Sequence, residues 1–232
     1  MAANRTSNAY SVCGDDLHSL AVQVGHDVRS PLTAICSYAE CLGWAGAVEP
    51  LARDRYARAI VVETQRIKRM LSDFMVLAGH RGQSPAEDVD FGAVVQTACA
   101  DVAEFLALRQ VTLDASLPGP YCTVTWPPEV LRHIAAAALD TVLSAAAEGS
   151  RVRVWITGAR ANGVELGLTT LGEALLLHLP RLLSYRATAL LLVERGGELR
   201  RVQGEEAGLM LVIPTDGRHV CAAAGQEARK VV

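Results

Sequence analysis

The sequence of 232 residues has few aromatic side chains (5%), no closely spaced cysteine pair and no run of basic residues. Without a C-x-x-C pair the cysteines favour neither a zinc site nor a disulfide framework, so we expect reduced thiols and a cytoplasmic protein; they are Cys13, Cys36, Cys41, Cys99, Cys122 and Cys221. A net charge of -3 without a basic arm does not indicate a nucleic-acid partner.

Patterns typical of a signal peptide or a membrane span are also lacking. The N-terminal segment MAANRTSNAYSVCGDD has no apolar core. The most hydrophobic stretch, residues 174–193, is interrupted by His178, Pro180, Arg181 and Arg186. The overall composition, 50% hydrophobic and 20% charged, is that of a globular protein. We therefore expect no membrane segment and an input signal that comes from another protein.

Apolar residues recur every three or four positions over two segments, which predicts amphipathic helices at about 15–44 and 51–80. The first helix has its apolar seam at Leu17, Ala21, Val24, Val28, Ile35, Tyr38 and Leu42. The second has its inner face at Tyr56, Ile60, Ile67, Met70 or Leu71, Phe74 and Leu77. A short GAVEP turn joins them into an antiparallel hairpin, and pairing two hairpins would cover both seams. We therefore expect a homodimer built on a four-helix bundle.

The pattern changes after a polar segment with glycine and proline at residues 78–90. Beyond it, predicted helices at 91–109, 127–149 and 175–195 alternate with strands, which are VTLDAS, YCTVTW, RVRVWITG, GVELGLTT, ELRRVQ and GLMLVIPT. This order predicts an α/β sandwich with helices on one face of a mixed sheet. The expected organisation is a tail at 1–14, the helical hairpin at 15–80, a linker at 81–90, the α/β domain at 91–216 and a tail at 217–232.

The segment GHDVRSPLTAI, residues 25–35, places a histidine next to an aspartate inside the first predicted helix. His26 follows the seam residue Val24 by two positions, so at about 100° per residue it faces water on the opposite side. An exposed imidazole can act as a nucleophile, and Asp27 could accept or orient its other proton. Pro31 removes a helical hydrogen bond to the Asp27 carbonyl, which is expected to bend the helix. The remaining histidines considered are interpreted as surface residues without a role: His80, His133, His178 and His219.

The decapeptide HDVRSPLTAI closely resembles the phosphoacceptor motif of bacterial sensor histidine kinases, usually written H-E-x-R-T-P-L. Asp27 stands where that family has Glu or Asp, Arg29 and Pro31 match, and Ser30 replaces the usual Thr or Asn. The resemblance extends to about residue 80, as the dimerisation and phosphoacceptor domain. It implies that His26 is phosphorylated with Asp27 as acid–base helper, and that Ser30 occupies a position tied to dephosphorylation of a bound response regulator.

The second half is similar to the family's ATPase domain, but it departs from that pattern in the nucleotide site. The asparagines of the family's magnesium- and nucleotide-binding helix correspond to Ala137 and Thr141, and its lysine to Ser144. Neither alanine nor threonine replaces an amide oxygen as a magnesium ligand. In the box D-x-G-x-G-[IL], Thr170 replaces the adenine-reading aspartate, Gly172 is retained and Ala174 replaces the second glycine. The glycine-rich segment and the long lid over the phosphates have no counterpart, so we expect a degenerate domain that does not bind ATP.

The resemblance is therefore closest in character to dimeric phosphorelay histidine phosphotransferases, which would pass phosphoryl groups between regulator aspartates through His26. The implied partners are a second copy of the chain, response-regulator receiver domains and an upstream hybrid kinase. No cofactor is expected on this chain, because the receiver supplies Mg²⁺. Arg29, Thr33 and Ser37 are candidate docking residues beside Ser30. Two alternatives stay open: a soluble histidine kinase with a divergent nucleotide site, and a non-catalytic dimeric scaffold or inhibitor of a regulator or kinase.

Overall fold

The computed structural model describes residues 17–43, 49–79, 84–117, 122–158, 163–171, 179, 182–203 and 206–215. It begins with a helical hairpin, whose helices are α1 (Leu17–Gly43) and α2 (Pro50–Leu77). Pro50 starts α2 at a position where the missing N–H has no helical partner to lose. The rings of Tyr38 and Tyr56 stack across the hairpin with their centroids 5.7 Å apart. The predicted antiparallel hairpin is confirmed.

An α/β domain follows the hairpin. Its helices are α3 (Phe91–Asp101), α4 (Ala103–Leu108), α5 (Pro128–Ala145) and α6 (Leu183–Val193). Its strands are β1 (Glu87–Asp90), β2 (Thr112–Ser116), β3 (Thr123–Trp126), β4 (Arg151–Gly158), β5 (Gly163–Leu171), β6 (Glu198–Val202) and β7 (Glu206–Pro214). A small antiparallel pair joins β1 to β3, and a five-stranded sheet has the order β2-β4-β5-β7-β6.

The five-stranded sheet is mixed, because β2 and β4 run parallel whereas the other neighbouring pairs are antiparallel. Its strands alternate buried and exposed residues, so one face packs against helices. The core between sheet and helices is almost entirely aliphatic, with fully buried side chains at Phe91, Leu131, Ile134, Leu139, Leu143, Leu166, Leu168, Leu179, Leu192, Leu209 and Leu211. The layer of helices on one face of the sheet confirms the expected α/β sandwich. The buried side chains hold α5 and α6, which face the hairpin, against the sheet.

Two helix ends in this domain have clear local causes. The α6 helix ends where Gly196 adopts a left-handed φ of 74°, and the following Gly197 N–H donates to the Leu192 carbonyl at 2.8 Å. At the end of α5, the Arg109 guanidinium donates to the carbonyls of Leu143 and Ala146, where cations interact favourably with the helix dipole. These contacts define where α5 and α6 end.

The structure differs from the sequence predictions at several boundaries. The predicted linker at 81–90 contains strand β1 at Glu87–Asp90, so the α/β domain begins earlier than expected. The helix predicted at 91–109 is two helices separated at Val102. Of the helix predicted at 175–195, the structure describes α6 from Leu183; residues 172–178 lie outside the described part, as do the predicted tails at 1–14 and 217–232.

The predicted seams are also only partly buried within one chain. On α1, Val24 is buried, but Ala21 is exposed and Leu20 is buried in its place. On α2, most predicted inner residues are half-buried and Leu71 is exposed, while Ala59, Val62, Asp73 and Val76 are the buried ones. The physical reason is that α2 packs on α4 and α6 as well as on α1, and Val76 belongs to the α/β core.

In the part of the chain that the structure describes, none of the helices combines the length and the hydrophobicity that a membrane span needs.

Candidate functional site

His26 projects from the outer face of α1. Its side chain is 81% exposed, whereas Val24, two residues earlier, is 8% exposed. The two positions lie about 200° apart around a helix, so burial of one side presents the other to solvent. The apolar seam of α1 is thus what points the imidazole outward. A side chain in this position is accessible to the surface of another protein.

Asp27 lies next to His26 and contacts its ring. The His26 Nδ1 and the Asp27 Oδ1 are 3.3 Å apart. When Nδ1 carries the proton it donates to the carboxylate, which leaves Nε2 with its lone pair directed away from Asp27. The pair therefore has the geometry of a nucleophilic nitrogen whose opposite ring nitrogen is held by an acceptor.

The α1 helix continues from Leu17 to Gly43 through Pro31, so the proline does not end it. The ring of Pro31 is buried on the side opposite His26. Arg29, Ser30, Thr33 and Ser37 are all exposed, which makes each of them accessible to a partner. The hydroxyl of Thr33 donates a hydrogen bond to the Arg29 carbonyl at 2.9 Å, so this hydroxyl already has an acceptor within α1.

A cleft of about 870 Å³ lies between the hairpin and the α/β domain, and His26 stands at its edge. The α1 helix contributes Gln23, His26, Asp27 and Ser30; α2 contributes Arg66, Met70 and Asp73; α5 and α6 contribute Asp140, Ser144, Ser184 and Arg186. The Arg186 Nη1 donates to the Gln23 side-chain oxygen at 3.0 Å, across the cleft. Burial lowers the pKa of Arg186 from its ordinary value.

Polar contacts tie α2 to α5 beside this cleft. The His133 Nε2 lies 2.9 Å from the Asp73 Oδ1, and the Arg69 Nε lies 2.9 Å from the Asp140 Oδ1. The Ser72 hydroxyl lies 3.3 Å from the Nδ1 of His133. Burial raises the pKa of Asp73, an effect that contact with His133 opposes. The interpretation of His133 as a surface residue without a role is therefore wrong. His80, His178 and His219 lie outside the described residues.

The positions that correspond to nucleotide ligands hold side chains that take part in packing. Ala137 is 4% exposed, and Thr141 is fully buried. The Thr141 hydroxyl donates to the Ala137 carbonyl at 2.7 Å and lies 2.8 Å from the Ser184 hydroxyl of α6. At the adenine-reading position, Thr170 is 2% exposed and donates to the Arg151 carbonyl. These hydroxyls are engaged within the protein.

A nucleotide with magnesium, which the family resemblance implies, does not fit these residues. A magnesium ion needs oxygen ligands in octahedral positions, and the α5 face offers a methyl group at Ala137 and a buried, already bonded hydroxyl at Thr141. Among the residues that the structure describes, no group of three or more His, Cys, Asp or Glu side chains is arranged to hold a metal ion. Gly172 and Ala174 lie outside the described part.

Comparison with known proteins finds solved structures with a similar fold but no match from the sequence. No protein-family model matches the sequence, and no curated protein matches it. The solved structure of the Acinetobacter baumannii histidine kinase AdeS matches over 82% of this chain and 98% of its own, with a TM-score of 0.57 and 14% identity. Histidine kinase ThkA in complex with the response regulator TrrA matches over 87% of this chain and 62% of its own, with a TM-score of 0.56 and 12% identity.

Full-length ShkA in complex with AMPPNP matches over 90% of this chain and 47% of its own, with a TM-score of 0.55 and 14% identity. This chain therefore spans less than two thirds of the ThkA and ShkA chains that it matches. At these identities the likeness establishes the fold. The chain has the histidine kinase fold, a helical hairpin followed by an ATPase-type α/β domain.

Proposed function

We propose that this chain is a histidine phosphotransferase of a two-component phosphorelay, which passes phosphoryl groups between response-regulator aspartates through His26. The observation that carries this proposal is the exposed imidazole of His26, held by Asp27 at 3.3 Å on a histidine kinase fold. The buried Ala137 and Thr141 at the nucleotide-ligand positions support a phosphoryl source other than ATP.

The proposed transfer needs little chemistry from this chain. The receiver brings its aspartyl phosphate and the Mg²⁺ that neutralises the phosphoryl oxygens. The Nε2 of His26 attacks phosphorus in line; the N–P bond forms as the P–O bond to the aspartate breaks, and the carboxylate leaves. Asp27 accepts the Nδ1 hydrogen bond and stabilises the positive charge that develops on the ring. The reverse sequence transfers the phosphoryl group to a second receiver.

Docking would use the exposed face of α1 around His26. Arg29 provides a positive charge, and Ser30, Thr33 and Ser37 provide hydroxyl groups on that face. Exposed charges of this kind affect the association rate and the choice of partner more than the affinity. Ser30 keeps a hydroxyl near the nucleophile.

The proposed active form is a homodimer. Large apolar side chains of the hairpin remain exposed within one chain: Val22, Leu32, Leu51, Val61, Leu71 and Met75. On α2, positions 61, 71 and 75 fall within about 80° of one another around the helix, so they form one stripe. A second copy packing along this stripe and along Leu32 would complete the four-helix bundle. The proposed cytoplasmic location is consistent with the free thiols of Cys36, Cys41 and Cys99.

The test is a labelling experiment with two phosphoryl sources. The chain is incubated with radiolabelled ATP alone, and separately with receiver domains of the source organism phosphorylated by radiolabelled acetyl phosphate. We expect label only in the second case, its loss in His26→Ala, and its retention in His18→Ala, an exposed histidine on the same helix. Labelling from ATP alone would identify a kinase with a divergent nucleotide site. An effect on a regulator that survives His26→Ala would identify a scaffold or inhibitor.

A further inference from the structure

A second cavity, of about 370 Å³, lies between the hairpin and helix α4. It is separate from the phosphoacceptor site, because Tyr38, which lines it, is about 18 Å along α1 from His26. A volume of this size is enough for a small molecule. Six of the side chains that line the cavity are aromatic or charged: Tyr38, Arg55, Tyr56, Glu63, Phe105 and Arg109.

Three aromatic rings line this cavity. Tyr38 of α1 and Tyr56 of α2 stack with their centroids 5.7 Å apart and an angle of 24° between the ring planes. Phe105 of α4 belongs to the other side of the cavity, and all three side chains are half-buried. Each ring therefore keeps part of its surface accessible. Aromatic rings attract one another in offset-stacked and edge-to-face arrangements, so the cavity suits a planar aromatic group.

The charges that line the cavity favour an anion, since they are two arginines and one glutamate. Glu63 has a cation of its own, because its Oε2 lies 3.8 Å from the Nη1 of Arg66. The Arg109 guanidinium donates to two backbone carbonyls at the end of α5, and these acceptors carry no formal charge. Arg55 is exposed, and no side chain in the described part of the chain forms an ion pair with it.

The cavity stays open in the proposed homodimer. Arg55 lies about 160° around α2 from the centre of the stripe formed by positions 61, 71 and 75. A second hairpin that packs along this stripe would cover one side of α2, and the cavity lies on the other side, which faces α4 of the same chain.

We propose that this cavity binds a small aromatic carboxylate, with its ring among Tyr38, Tyr56 and Phe105 and its carboxylate on Arg55. A guanidinium can donate two parallel hydrogen bonds to a carboxylate, a geometry that its planar fork favours. Arg109, whose guanidinium carbon lies 5.5 Å from the centroid of the Phe105 ring, adds a second positive charge. The ligand would contact both the hairpin and the α/β domain. This inference does not depend on phosphorylation of His26.

The test is isothermal titration calorimetry of the whole chain with three probes of similar shape: anionic 2-naphthoate, neutral 2-naphthamide and cationic 2-naphthylmethylamine. We expect 2-naphthoate to bind with a dissociation constant of about 0.1–1 mM, which is typical of a ligand of this size. The amide should bind severalfold more weakly, and the amine most weakly. Arg55→Gln should weaken 2-naphthoate about fivefold, as for an exposed ion pair, and leave the amide unchanged. Arg55→Lys should retain part of the difference.

Two further variants separate this site from general surface binding. Arg53→Gln removes an exposed arginine that lies about 160° around α2 from Arg55, and it should change neither affinity. Tyr56→Leu keeps an apolar side chain but removes one stacking ring, so it should weaken the acid and the amide alike.

Four results would overturn the inference. They are no binding of 2-naphthoate, affinity for the amide or the amine equal to or higher than that for the acid, unchanged affinity for the acid in a folded Arg55→Gln protein, and equal losses in Arg53→Gln and Arg55→Gln. Each of these results would leave the proposed function of His26 intact, because the labelling experiment does not involve this cavity.

Discussion

Asp73 of α2 and His133 of α5 hold a carboxylate oxygen and an imidazole nitrogen 2.9 Å apart at the boundary between hairpin and α/β domain. Asp73 is only 3% exposed, so the contact is shielded from solvent. Together with the Arg69–Asp140 pair it connects two helices that belong to different domains. A polar interface of this kind fixes a relative orientation, because its members lose their partners if either helix shifts.

The Asp73–His133 contact should be important for stability. We expect Asp73→Ala to lower the free energy of unfolding by about 3 kcal/mol, because removing one member leaves the other buried without its partner. Urea denaturation measures the loss, and a double-mutant cycle with His133→Ala isolates the pair. Asp54→Ala, at an exposed position of the same helix, should change stability by less than about 0.5 kcal/mol. Additive losses in the cycle would mean that the two side chains act independently.

Glu206 should make stability depend on pH in the acid range. The Thr169 hydroxyl, which donates to its carboxylate at 2.7 Å, and the nearby Arg153 lower the pKa of Glu206 below the ordinary value of 4.5. A lowered folded-state pKa contributes stability that is present above pH 4.5 and is lost as pH falls through the folded-state value. We therefore expect Glu206→Gln to destabilise the protein at pH 7, and to destabilise it progressively less as the pH falls below 4.5.

Thermal denaturation of wild type and Glu206→Gln across this pH range measures the difference. Glu148→Gln provides a matched control, because Glu148 is an exposed glutamate. A Glu206→Gln protein whose stability runs parallel to that of wild type from pH 3 to pH 7 would contradict this prediction.

The cysteines should differ strongly in reactivity. Burial raises the pKa of Cys99 to about 11, whereas Cys36 is exposed on α1. The thiolate is the reactive form, so at pH 8 only about one Cys99 side chain in a thousand is in it. We expect iodoacetamide to modify Cys36 well before Cys99 in the native protein, as measured by peptide mass spectrometry. Cys36→Ser should remove the early modification; rapid alkylation of Cys99 in the folded chain would count against the described burial.

Leu32 should be important for dimer formation. It is 48% exposed within one chain, and in the proposed homodimer the second hairpin would cover it. We expect Leu32→Asp to raise the dissociation constant of the dimer at least about tenfold, since burying a leucine is worth roughly 1.5–3 kcal/mol. Sedimentation velocity measures the change. Leu51→Asp is the control, because Leu51, at the start of α2, is about 120° around the helix from the centre of the stripe formed by positions 61, 71 and 75. Equal dissociation constants for the two variants would argue against the proposed bundle.

Local sequence patterns predicted the parts of the molecule that depend on local structure. The period of apolar residues located both hairpin helices, and alternation located β4, β5 and β7. The motif around His26 and its helical phase correctly placed the imidazole on the solvent side. These features depend on residues a few positions apart. Strand β1 was missed because EDVD is short and acidic, and its pairing with β3 gives no local signal.

The contacts that complete the site could not be predicted in the same way. His133 and Arg186 meet Asp73 and Gln23 only after the α/β domain packs against the hairpin. No spacing within α5 or α6 identifies a partner on another helix. The division of the 91–109 helix at Val102 was also missed, because neither glycine nor proline marks it. These features depend on tertiary packing, and contacts between distant segments are difficult to predict from a single sequence.

The packing of α5 against its neighbours also limits how this protein can evolve. Asparagine at position 137 would have to fit where a buried methyl group now lies, and asparagine at position 141 would lose the hydroxyl contact with Ser184. Each change alone would place an amide group at a buried position, before any gain in nucleotide affinity could be selected. Under the proposed function, ATP-dependent chemistry would therefore require several substitutions together and not one at a time.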